Sequence, residues 1–166
     1  MRPESGTSTR AGALWFEVQP KFEDSGLTAE TTRSGYVAIG DNDVIYPALG
    51  VSPSGAVVMA ATVTGNNHYP SAAYSILNSG RPTVKIVSEG VGPDDGFTGT
   101  QSVGGGRPRW GDYGAVAMDG SRLWLASESI EQSCTFAQFL TGAIGSCGGT
   151  RTLFANWGTR ISSVQI

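Results

Sequence analysis

Short apolar runs alternate along this chain with clusters of Gly, Ser, Asn, Asp and Pro, a pattern that predicts strands separated by turns. Residues 13–18, Ala-Leu-Trp-Phe-Glu-Val, predict an aromatic-rich strand, and the Thr-rich stretch 28–39 predicts another. A turn cluster, Gly-Asp-Asn-Asp at 40–43, precedes a strand at 44–51 that Pro47 leaves unpaired or bulged. Beyond the tight turn at 52–55, residues 56–63 are continuously apolar, as in a strand buried on both faces. Strands at 72–77 and 83–87 follow, separated by a turn at 78–82. A Gly-rich loop fills 89–108, containing Asp94, Asp95 and the run Gly104–Gly106. Strands at 113–118 and 122–127 flank an Asp119–Gly120 hairpin turn. Short strands are expected at 151–155 and 160–166, and helical character is confined to 133–140.

An internal repeat organises these strands. Tyr46-Pro47-Ala48, a Gly turn and then 57–62 match Tyr113-Gly114-Ala115, a Gly turn and then 122–127. Third strands follow in both copies, at 69–74 and 157–162, and the first copy has a fourth at 83–87. The strands at 13–18 and 28–39 then read as the third and fourth of a preceding copy. Four-stranded antiparallel units repeated about an axis make a β-propeller. The expected fold is therefore all-β, a partial β-propeller of about two and a half four-stranded blades, with a β-sandwich as the alternative. The expected organisation is a disordered segment at 1–11 and a partial propeller at 12–166. Within it, 12–40 is a half blade, 41–90 a full blade, 91–108 the Gly-rich loop and 109–166 a three-stranded last blade.

Composition agrees with many turns. The 166 residues include 24 glycines, roughly twice the ordinary share of about 7%. A formal net charge of -3 argues against nucleic acid as a partner. No apolar run approaches the ~20 residues of a membrane-spanning helix. The N-terminus lacks the apolar stretch of a signal peptide, which favours the cytosol or a chain whose original start is missing. Cys134 and Cys147 point the other way: both lie in one Gly/Ser/Thr-rich segment with few other anchors, where a disulfide suits an exported protein.

The run Arg109-Trp110-Gly111-Asp112-Tyr113-Gly114-Ala115, continuing through Asp119-Gly120 to Leu123-Trp124-Leu125, resembles the last blade of secreted bacterial sialidase-like β-propellers. The ending Asn156-Trp157-Gly158-Thr159-Arg160-Ile161 is similar to their C-terminal strand, and Tyr46-Pro47-Ala48 resembles the inner hairpin of the blade before. The resemblance covers most of 14–166 and is at the level of fold. It implies an extracellular or periplasmic location. Sialidases carry Asp-boxes, Ser-x-Asp-x-Gly-x-x-Trp; this chain has no full copy, only Met118-Asp119-Gly120 ahead of Trp124. Two and a half blades are also too few to hold the family's arginine triad, Tyr/Glu nucleophile pair and acidic proton donor. The chain thus reads as the C-terminal part of a larger protein, or as a protomer completed by assembly.

In a propeller, the loops leading into the innermost strands and those joining second to third strands open on one face. That geometry would collect Asp41, Asp43, Tyr46, Asn66, Asn67, His68 and Tyr69 with Arg109, Trp110, Asp112, Tyr113, Glu128 and Glu131. Aromatic rings beside hydrogen-bonding groups suit a sugar. Ligand binding is accordingly expected at Asp43, Tyr46, His68, Tyr69, Arg109, Trp110, Asp112 and Tyr113. Should the chain be an enzyme, Asp112 and Glu128 are the first candidates for a glycosidase carboxylate pair. Each has a plainer reading: Trp110 can cover the channel rim, Asp112 can bond its own turn, and His68 can be a solvated loop residue. No cofactor is expected; calcium at Asp94-Asp95-Gly96 is weighed against a solvated acidic turn. The function expected is a non-catalytic propeller segment offering a polar-aromatic face to a glycan or protein, with a sialidase-like glycoside hydrolase fragment as the alternative. Open blade edges also invite homo-oligomerisation.

Overall fold

The computed structural model describes residues 9–78, 82–97, 111–141, 146–147 and 155–166. Its described residues are all-β but for one short helix. Antiparallel strands β1 (Ala13–Glu23) and β2 (Gly26–Val37) form a first, two-stranded sheet. Strands β3 (Asn42–Val51), β4 (Val57–Gly65), β5 (Ser71–Ile76) and β6 (Val84–Ser88) make a four-stranded second sheet in sequence order. Strands β7 (Ala115–Asp119), β8 (Arg122–Ile130) and β9 (Trp157–Gln165) form a three-stranded third. None of the three closes into a barrel. The expected grouping of two, four and three strands is the one observed. The strand expected at 151–155 and the run Gly104–Gly106 fall, apart from Ala155, outside the described residues.

The sheets stack face to face with the second in the middle. One face of β4 presents Met59, Ala61 and Val63 to the first sheet, where Ala13, Val37 and Trp15 meet them in one core. The other face presents Val58 and Ala60 to Leu123 and Leu125 of β8, with Val116 and Val164 beside them. A strand covered on both faces needs no polar alternation, which is why 56–63 reads as an unbroken apolar run. The contact is close. A Cβ on Gly50 would overlap the Val116 side chain, so only glycine lets β3 approach β7 here. Thr62 lies on this face too, and its hydroxyl donates to the Glu128 carbonyl at 3.0 Å.

The hairpin turns follow the residue chemistry of the sequence. Gly55 and Gly120 close the β3–β4 and β7–β8 connections with positive φ, 82° and 57°. The expected irregularity at Pro47 is a break in register between Ile45 and Ala48. The hairpin β1–β2 is longer than its apolar run and pairs through Pro20 and Lys21. Its distal half is exposed on both faces. There Lys21 Nζ meets Glu30 at 2.6 Å and Arg33 pairs with Glu17, holding the Glu17 carboxyl below its usual range. Helical character at 133–140 condenses to one turn, α1 (Phe136–Phe139), with a Thr135 capping box closed by Gln138. Cys134 and Cys147 form a disulfide across this connection.

The repeat seen in the sequence is real in space, with one shift of register. Strand β7 lies beside β3 and β8 beside β4. Gly50 abuts Val116 and Thr62 bonds Glu128, so the neighbouring strands run the same way. Two copies stacked in the same sense must turn equivalent residues in the same direction. Val58 and Leu123, matched by sequence, instead point into the same gap from opposite sides. A one-residue shift in the second strand restores the equivalence, because side chains alternate faces at every residue. Val58, Ala60 and Thr62 then correspond to Trp124, Ala126 and Glu128. The first-strand match of Tyr46-x-Ala48 with Tyr113-x-Ala115 keeps its register, since Ala115 pairs with Ala126 as Ala48 pairs with Ala60.

Candidate functional site

The loops leading into β3 and β7 and those joining β4 to β5 and β8 to β9 gather at one end of the stack. Asn66 N donates to Asp41 O at 3.0 Å, and Ile130 N donates to Pro70 O at 3.0 Å. The second bond ties a loop of the second sheet to the third. Phe97 packs against Phe136 and Phe139, ring centroids 5.4 and 5.2 Å away, and fastens the start of the Gly-rich loop to α1.

The centre of this end is built around Tyr46, Gly111, Asp112 and Glu128. Tyr46 and Asp112 both sit at positive φ, 52° and 105°. Non-glycine residues pay for that conformation in strain, so it persists only where surroundings fix it. Those surroundings are mutual: a Cβ on Gly111 would overlap the Tyr46 ring. Glu128, half-buried on β8, has its carboxyl pushed above the usual carboxylate range. Burial is the main cause and the Asp112 charge adds to it, while a backbone hydrogen bond from Gly111 opposes both. Tyr113 is 84% exposed beside this pair, and Tyr69 is 54% exposed on the β4–β5 connection.

The other expected site residues are placed differently. Asp43 is an anchor: Oδ1 accepts from Ala11 N at 2.6 Å and Oδ2 from Arg10 Nη1 at 3.2 Å. Arg10 also reaches Asn66 Oδ1 at 2.6 Å, so Arg10 and Ala11 are held against the second sheet. His68 Nδ1 lies 3.1 Å from Glu89 Oε2. Ser71 donates to the Tyr69 carbonyl at 2.6 Å and accepts from Gly90 N at 2.9 Å, so this loop carries its own network. Arg109 and Trp110 lie outside the described residues. Glu89 and Gly111 are not among the residues expected at the site. The one available signal was that each flanks a singled-out residue's loop, Glu89 directly following β6 and Gly111 directly preceding Asp112.

Chemically, the arrangement offers two neighbouring carboxyl groups, Asp112 and Glu128, of which Glu128 keeps its proton to higher pH than an ordinary glutamate. Asp94, raised mainly by burial and further by Asp95, is a second half-buried carboxyl on the same end. Among the described residues, no three His, Cys, Asp or Glu side chains group so as to hold a metal ion. None of their helices is long and apolar enough to cross a membrane. No protein-family model, curated protein or solved structure matches the chain.

Proposed function

We propose that the chain is a non-catalytic segment of an extracellular or periplasmic β-propeller. Its loop end would bind a glycan or a protein through Tyr113, Tyr69 and Asp112. The observation that carries this reading is the exposed Tyr113 adjoining Asp112, with a second exposed tyrosine, Tyr69, on the β4–β5 connection at the same end of the stack. Ring faces next to a hydrogen-bonding carboxylate suit a sugar. Three sheets stacked in one sense, with two, four and three strands, support the propeller over a two-sheet sandwich. The disulfide accords with export. A glycan array probed with wild type and with Tyr113→Ala tests the reading. It expects at least a tenfold loss of any retained signal in the variant; equal binding by both proteins would refute it.

Glu128 favours a second reading. A carboxyl whose pKa is raised by burial and by a neighbouring carboxylate resembles the acid of the carboxyl pair used in glycoside hydrolysis. On this view the chain is part of a sialidase-like hydrolase completed by a longer chain or an oligomer. Turnover of an aryl glycoside that disappears in both Asp112→Asn and Glu128→Gln would establish it, and turnover untouched by either would end it. Association through the edge of β9, which among the described residues pairs only with β8, belongs to the same proposal.

A further inference from the structure

The third sheet has a face that repeats a covered one. Val58, Ala60 and Thr62 turn one face of the second sheet toward the third, where Leu123 and Leu125 cover Val58 and Ala60 and Thr62 bonds β8. Gly50 of β3 and Tyr74 of β5 share that face. The equivalent positions on the third sheet are Trp124, Ala126 and Glu128 of β8, with Ala117 of β7 and Ile161 of β9 across from them in the ladder. Ala117, Trp124, Ala126 and Ile161 are small or apolar, as on the covered face, with Ser163 opposite Trp124 and the Glu128 carboxyl at the loop end of the row, and no described strand lies over them. Trp124 is 41% and Ile161 56% exposed.

The opposite end of the stack has a bare apolar face as well. Ala13 and Trp15 of β1 turn toward the second sheet, so Leu14 and Phe16 between them turn outward. Both are about half exposed, and Leu14 lies opposite Tyr36 on β2. The stacking sense is fixed along the molecule: first sheet on second, second on third. The next layer in that order is a sheet shaped like the first. Contiguous apolar surface of this kind marks an association site.

We infer that copies of this chain associate head to tail, the outer face of β1–β2 of one copy seated on the outer face of β7–β8–β9 of the next. The occupant is a second copy because the chain carries both halves of the contact, at opposite ends of one stack. Its precedent is the contact between the second and third sheets. Such an interface is heterologous: it joins unlike patches and closes into a ring if the rotation allows. It uses sheet faces, is independent of the open β9 edge, and meets the loop-end site only at Glu128.

Sedimentation velocity on the full chain tests this with two variants, Phe16→Glu on the first face and Trp124→Glu on the last. Both residues are exposed, and unchanged circular dichroism and melting verify that each variant folds. The wild type is expected to form oligomers that grow with concentration, and each variant alone to sediment as a monomer. An equimolar mixture of the two is expected to form a 1:1 dimer, because each variant retains the half that the other lacks. A wild type that stays monomeric overturns the inference. So does self-association of either variant alone, which would mean a like-to-like contact or one through the β9 edge.

Discussion

The second and third sheets are built from the same repeat, yet one is sealed on both faces and the other on one. In the second sheet, β4 is buried from Val58 through Val63. In β8 the burial alternates, with Leu123 and Leu125 inside and Trp124 outside. The difference lies in what each sheet has beside it. Equivalent residues of similar character therefore do different things: Val58 cements a core, whereas Trp124 offers one. The connections differ as well. The β4–β5 link is short and bonded to its own sheet, while the β8–β9 link is long, capped by α1 and stapled by a disulfide.

The comparison predicts its largest effect on β8 itself. Leu123→Ala empties a fully buried site and should cost about 2–5 kcal/mol. Trp124→Ser, one residue on, should cost about 1 kcal/mol or less in dilute monomer, because surface positions contribute little. Urea unfolding of both variants checks this, and equal losses would mean that the outer face is covered after all. Gly50 and Ala117 make a second matched pair. Gly50→Val overpacks the gap against Val116 and should destabilise by about 1–3 kcal/mol, whereas Ala117→Val should be close to neutral.

Next in size is the staple. Replacing Cys134 and Cys147 by Ser should remove about 3 kcal/mol, the chain-entropy value for a short loop. The loss should be accompanied by faster amide exchange around α1 and not in β4. Uniform exchange acceleration through both sheets would show that the staple supports the whole stack.

The smallest effect is a pH dependence at the loop end. The folded-state pKa of Glu128 is raised above its ordinary 4.5, so the folded protein binds its proton more tightly than the unfolded chain does. Stability from this group is thus present below about pH 4.5 and falls as pH rises through the folded-state pKa. Glu128→Gln should raise the melting temperature relative to wild type at about pH 7 and change it little at about pH 4. The equivalent Thr62→Val in the second sheet removes a hydrogen bond instead, and its effect should not vary with pH. A Glu128→Gln difference that is flat with pH would deny the raised pKa.

Much of this architecture was legible because strand burial leaves a direct mark on sequence. The unbroken apolar run of β4 announced cover on both faces, Pro47 announced the irregularity in β3, and Gly55 and Gly120 marked hairpin turns. The full length of β1–β2 was not legible. Its distal half has no buried face, so backbone pairing and ion pairs hold it without an apolar pattern. The one-residue shift in the repeat was hidden too, since Val58 and Leu123 are both apolar and only the direction of their side chains separates them. At the loop end, sequence brought out Tyr46, Asp112, Tyr113 and Glu128. It could not foresee that Asp43 would anchor Arg10 and Ala11, or that His68 would pair with Glu89, because those bonds depend on where separate loops meet.

Hydroxyl-radical footprinting read by mass spectrometry, on the same chain at low and high concentration, tests the central claim most directly. Met59 and Trp124, both reactive side chains, report on a covered face and a bare one. The account predicts Met59 protected throughout, with Trp124 oxidised in dilute protein and protected as concentration rises. Trp124 equally protected at every dilution, or equally oxidised at every concentration, would contradict it.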